Sequence, residues 1–141
     1  MIRAVTGSTG RMDSHPDTRS QDIIDRVAAA GVGLPPWQAV CAVLETLGEV
    51  LPYGTAAYLA SSLPDEMGAE VGRHFPADSA VSQIDRTEFL AAVARRCDCG
   101  LDAAERATRA VTEAIAATVP FAVMVNVEHV TPEPLLDLIG G

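Results

Sequence analysis

The stretch Arg95-Arg96-Cys97-Asp98-Cys99-Gly100-Leu101-Asp102 holds the residues of this chain best suited to chemistry. Two thiols one residue apart can close a small, strained disulfide, and strain makes such a pair oxidising. Two arginines before them and a helix N-terminus after them would lower a thiol pKa and favour the reactive thiolate. Ligand number speaks against a metal. A structural zinc site takes four nitrogen or sulfur donors, and Cys97 and Cys99 supply two. The third cysteine, Cys41, falls on an apolar helix stripe and reads as core. His74 and His129 stand at no C-x-x-C or H-x-x-H spacing. Cys97 and Cys99 are therefore read as small turn residues, with a redox pair or metal-responsive thiol site as the alternative.

The remaining candidates are weaker. Glu128 and His129 could form an acid–base pair, but adjacent helical residues diverge by about 100°. Asp65, Glu66 and Glu70 mark one acidic helix face, expected to be solvated. Trp37, Tyr53 and Tyr58 could line a small pocket between helices, although a lone tryptophan is more simply the largest core residue. No serine nucleophile elbow, phosphate loop or paired-carboxylate geometry is found. No catalytic residue, cofactor or bound metal is expected, and the reading leans away from an enzyme.

The N-terminus offers a decoy. AVTGSTGRMD places Gly7 and Gly10 like the start of a nucleotide-binding turn. The third glycine position is Asp13, however, and the helix that should face the phosphate contains Pro16. Residues 1–19 are expected to be a disordered leader, with Met12 as an alternative start of translation.

The elements that must position these residues are helices. In the first half Ile23, Ile24 and Val27 mark a short helix, and Trp37, Val40, Cys41, Leu44, Leu47 and Leu51 mark a long one that starts at Pro35-Pro36. In the second half Phe89, Leu90 and Val93 correspond to the short helix. Ala104, Thr108, Val111, Ile115 and Val119 form the long stripe, with Asp102-x-x-Glu105 as its start signal. Glu105 and Arg109 form an i,i+4 pair, and Asp85 with Glu88 caps the preceding helix. Pro52 and Pro120 end the two long helices. Each half closes on a shorter helix and a proline turn, through Leu59, Leu63, Pro64 and Met67 or Val127, Val130, Pro132, Leu135 and Leu138. FAVMVNV, residues 121–127, is β-branched and locally suits a strand, but its place in the second half predicts a helix.

The chain thus reads as an all-α helical bundle built from two tandem helical repeats. A single domain over 20–139 contains repeat 20–72 and repeat 84–139, joined by a linker at 73–83. Cys97-Asp98-Cys99 then aligns with Gly31-Val32-Gly33, the turn between short and long helix. At 141 residues the chain buries enough surface to fold as one domain without staples. Aromatics are only 4% of residues, so Ala, Val, Leu and Ile must build the core, which favours closely packed helices.

This arrangement resembles the bacterial domain family DUF2267, on CGLDAAERATRAV at 99–111 and LASSLPDEM at 59–67. The likeness covers about 20–139, and HVTPEPLLDLI departs from the usual leucine-proline ending. It implies an all-helical bundle and brings no established activity or catalytic residues.

Charge narrows the function classes. Ten arginines, no lysine and nineteen acidic residues give a net charge of −9, a field that repels nucleic acid and anionic membrane surfaces. Three cysteines make no disulfide framework. No apolar run spans a bilayer and no secretory signal is evident, so a cytoplasmic location is expected. The expected function is a non-enzymatic interaction or scaffold module, binding a protein partner or itself. The alternative is a thiol-based redox or metal-responsive protein using Cys97 and Cys99.

Overall fold

The computed structural model describes residues 18–73, 85–131 and 133–139. These form eight helices: α1 (Thr18–Ala29), α2 (Pro36–Val50), α3 (Tyr53–Ser62), α4 (Asp65–Gly72), α5 (Arg86–Cys97), α6 (Leu101–Ala116), α7 (Phe121–Val130) and α8 (Glu133–Ile139). There is no strand among the described residues. α1 begins inside the expected leader, at Thr18. The rest of that leader, with the glycine decoy and Met12, and nearly all of the linker lie outside the described residues, as does His74.

Proline sets most of the boundaries. Pro35, Pro52, Pro64 and Pro120 each occupy the N-cap with φ between −57° and −54° and extended ψ. Their carbonyls accept the first helical bonds, from Ala39 at 3.1 Å, Ala56 and Gly68 at 2.9 Å, and Val123 at 3.0 Å. A proline also drives the residue before it into extended backbone. Leu51 (ψ 149°) and Leu63 (ψ 161°) therefore end α2 and α3. The leucine-proline ending of the first half is thus two short helices around one proline, where the sequence suggested a single helix.

Capping follows expectation at one helix and fails at another. Asp85 and Glu88 make a full capping box: the Glu88 N–H donates to Asp85 at 2.8 Å and the Asp85 N–H donates to Glu88 at 3.0 Å. The Asp102-x-x-Glu105 signal is corrected. α6 starts two residues earlier, with Gly100 as an N-cap that has no side chain to offer. Glu105 turns instead to Arg86 (2.9 Å) and Arg109 (3.1 Å), and both arginines also reach Asp137. The Arg109 Nη1 further donates to the Asp137 carbonyl at 2.7 Å. The expected Glu105–Arg109 pair is therefore present, within a cluster that joins α5, α6 and α8. Hydrogen bonds from Arg109 and Arg86 hold the Glu105 carboxyl below its ordinary range.

α2 and α6 pack together at the centre, and α1 and α5 each lie against both. α4 packs on α2 and α3, α8 on α6 and α5, and α3 adjoins α7. The long stripe of α6 is buried throughout, as are Val40, Leu44, Leu47 and Leu51 of α2. α7 is helical, and its buried residues Val123, Met124 and Val127 show why. Their spacing of one and three places them on one helical face; a strand would have alternated.

Candidate functional site

The thiol turn is shaped by the end of α5. Cys97 is the last helical residue, and Asp98 follows in the left-handed region at φ 53°, ψ 55°. The Cys99 N–H then donates back to the Ala94 carbonyl at 3.0 Å. In the first half Gly31, at φ 67°, supplies the left-handed residue after α1. Asp98 does so with a side chain, which Asp tolerates better than most residues.

Gln38 of α2 clamps this turn. Its Nε2 donates to the Cys97 carbonyl at 3.1 Å, and the Cys97 Sγ donates weakly to the Gln38 carbonyl at 3.9 Å. Cys97 is buried, and Cys99 is half-buried against the core. Burial pushes the Cys97 thiol up to about 11, and the neighbouring Cys99 thiol adds to the shift.

Arg96 does not serve the thiols. Its guanidinium reaches back to α2, donating to the Thr46 hydroxyl at 2.7 Å and pairing with Glu49 at 2.9 Å. Arg95 is exposed. The activation that two arginines suggested is thus redirected into helix docking. Cys97 should accordingly label slowly with a thiol alkylating reagent at neutral pH. Its rate should climb steadily to near pH 11, because only the thiolate reacts and burial delays its formation. A plateau below pH 8 would contradict that environment.

Cys41 departs from the core assignment. It is half-buried, and its thiol is pushed up to about 12 by burial and then by the carboxylates of Glu70 and Glu45. Glu70 in turn leaves the expected solvated face. It is 8% exposed and accepts two hydrogen bonds from Arg73, at 2.8 and 3.2 Å. Asp65 and Glu66 are exposed, and Glu66 accepts from the Ser20 hydroxyl. Among the described residues no group of three or more His, Cys, Asp or Glu side chains is placed to hold a metal.

The three aromatics are not brought into one pocket. Trp37, 42% exposed, lines a shallow groove with Ser20, Gln21, Ile24 and Glu66. It sits in the first turn of α2, at the edge of the bundle, and so is no core residue. Tyr53 and Tyr58 stand apart on α3, both close to half exposed. Glu128 lines a cavity of about 210 Å³ with Arg109, Thr112 and Glu113, whereas His129 does not.

Residues 20–138 match the family described as an uncharacterized conserved protein, DUF2267. The chain belongs to this family. No curated protein matches it. For this DUF2267 member the core and caps account for the residues quoted in the resemblance: Ala104, Ala107, Ala110 and Val111 of α6 and Leu59, Leu63 and Met67 around Pro64 are buried. What that packing leaves over is a feature the sequence analysis missed. Phe121 is 83% exposed, and Val125, one turn on, is 46% exposed. FAVMVNV carried the signal, because a ten-residue helix needs only one stripe for its core and this one is apolar on every side over its first five residues.

Proposed function

We propose that this protein is a small non-enzymatic interaction module, built by duplication of a four-helix unit. The observation that carries the reading is the surplus of exposed apolar side chains on adjoining helices, Tyr53 and Tyr58 on α3 and Phe121 and Val125 on α7. Phe121 and Val125, one turn apart, share an outer side of α7, and exposed apolar surface gathered in this way marks interaction sites. Duplication is supported by the recurrence of helix lengths, 12, 15, 10 and 8 residues and then 12, 16, 10 and 7. It is supported too by the exchange of partners, with α1 lying on α6 and α5 on α2. The charge of −9 argues against nucleic acid as the partner. No helix among the described residues is long and apolar enough to cross a membrane. A cytoplasmic location remains part of this proposal.

The second reading, a thiol-based redox or metal-responsive protein, is favoured by one observation: Cys97 and Cys99 share the turn after α5, with the Cys99 thiol near enough to raise the Cys97 pKa. Native mass spectrometry of protein purified without reductant or chelator separates the two. The module reading expects the apo mass with all thiols reduced. A mass short by two hydrogens, or heavy by one metal ion, overturns it in favour of the thiol site.

A further inference from the structure

The geometry points to a binding site for a small organic ammonium ion with a short alkyl body, in the cavity between α6, α7 and α8. The inference stands apart from the module reading and fails separately from it.

The cavity exists because the two halves of the chain close differently. The starts of α3 and α4, Tyr53 and Asp65, are spaced like those of α7 and α8, Phe121 and Glu133. In that register Gly48 falls on Ala116, Val71 on Ile139, Ala60 on Glu128 and Gly68 on Leu136. In the first half the two glycines let helices touch through their backbones. A Cβ on Gly48 would run into the Val71 carbonyl, and one on Gly68 would stand 2.5 Å from the Ala60 carbonyl oxygen. α4 accordingly packs on both α2 and α3. In the second half both positions carry side chains, so α8 cannot come so close. Among the described residues α8 packs on α6 but makes no more than marginal contact with α7. Gly48 is buried, whereas Ala116 is exposed. The space left is the cavity of about 210 Å³, and Ala116, Glu128 and Ile139, counterparts of residues at the first-half contacts, all line it.

The lining selects the ligand. Buried Leu138 and Ile139 give the cavity an apolar wall. Arg109 also lines it, but its guanidinium is held by Glu105 and Asp137. Glu113 and Glu128 add two exposed carboxylates, and neither pairs with a cation among the described residues. An anionic ligand would meet both carboxylates. A divalent metal lacks donors, since no group of three His, Cys, Asp or Glu is placed to hold one among the described residues. An alkylammonium suits both parts, with its N–H donors on the carboxylates and its stem on Leu138 and Ile139. Size agrees: an apolar cavity of about 150 Å³ holds one benzene, so this one takes on the order of six to ten non-hydrogen atoms.

Titration of the full chain with n-pentylamine at neutral pH in reducing buffer, followed in amide NMR spectra, tests this. The probe should move the amides around Glu113, Ala116, Glu128 and Ile139 and saturate, with a Kd on the order of 1 mM for so small a ligand. n-Pentanol, of the same length without the charge, should bind roughly tenfold more weakly, as expected for two lost ion pairs. Glu113→Gln and Glu128→Gln should each weaken pentylamine by roughly threefold, the scale of one solvent-exposed pair. Ala116→Leu, which fills the cavity from an exposed position, should abolish binding without changing the helical circular dichroism. Asp65→Asn, which removes an exposed carboxylate elsewhere, should bind like the wild type. Nα-acetyl-lysine methylamide carries the same ammonium: tighter binding than pentylamine assigns the cation to a lysine of a protein partner, and weaker binding to a free amine. Shifts that spread over the whole acidic surface without saturating overturn the inference, because they report cations gathered by the charge of −9. So does pentanol that binds as tightly as pentylamine, or wild-type affinity in Ala116→Leu or in both glutamate variants.

Discussion

Gly48→Ala is expected to destabilise the domain by on the order of 3 kcal/mol, although alanine is the better helix former. Gly48 lies inside α2 and faces the last turn of α4. A Cβ there would stand 2.9 Å from the Val71 carbonyl carbon and closer still to its oxygen. Both atoms are backbone, so no side chain can swing away and α4 must shift as a whole. Glycine in mid-helix costs about 1 kcal/mol relative to alanine; here it is what lets α2 and α4 pack backbone to backbone. Gly54→Ala is the matched control, since nothing lies within 4 Å of its Cβ position in α3. That change should stabilise by about 0.5–1 kcal/mol. Urea denaturation of the two variants reads both effects, with Tm moving roughly 3–5 °C per kcal/mol in a chain of this size. If Gly48→Ala proved as stable as the wild type, the close approach of α2 and α4 would be wrong.

Phe89→Ala should cost about 3–5 kcal/mol, a third or more of the stability of an ordinary domain. Phe89 is fully buried in α5 and is the only buried aromatic among the described residues. Its neighbours α2, α6 and α8 present mostly Ala, Val, Leu and Ile, which have little length to spare for filling the space left behind. Phe121→Ala deletes the same atoms from a position 83% exposed, and should change monomer stability by less than about 0.5 kcal/mol. The contrast isolates burial as the cause, because residue type and change are identical. Equal losses at the two positions would contradict the assignment of α7's outer face to solvent.

The Arg96 side chain shows where residue-type reasoning stops. Two arginines beside two cysteines suggested thiol activation, yet Arg96 pairs with Glu49 and Thr46 on another helix. Sequence separation hides this, since Arg96 and Thr46 are fifty positions apart. Cys41 and Glu70 are similar: each belongs to a reasonable local pattern, a core stripe or an acidic face, yet Glu70 is held by Arg73 and its carboxylate raises the Cys41 thiol across the α2–α4 contact. Asp102 failed as a cap for a local reason, because α6 begins two residues early at Leu101 and carries Asp102 past the cap position.

What the sequence determined by itself is most of the helices and most of their core faces. Those follow from short-range physics: proline stops one helix and starts the next, a capping box satisfies the first free N–H groups, and apolar residues at spacings of three and four share a face. Even the strand-like FAVMVNV obeyed that spacing once packed. The tertiary structure alone decided which helices meet, and with them the fate of Arg96, Cys41, Glu70 and Trp37. It also decided that Phe89 is enclosed while Phe121 is not. Those outcomes depend on which faces remain uncovered after all eight helices have docked, a property of the whole assembly that no local window of residues contains.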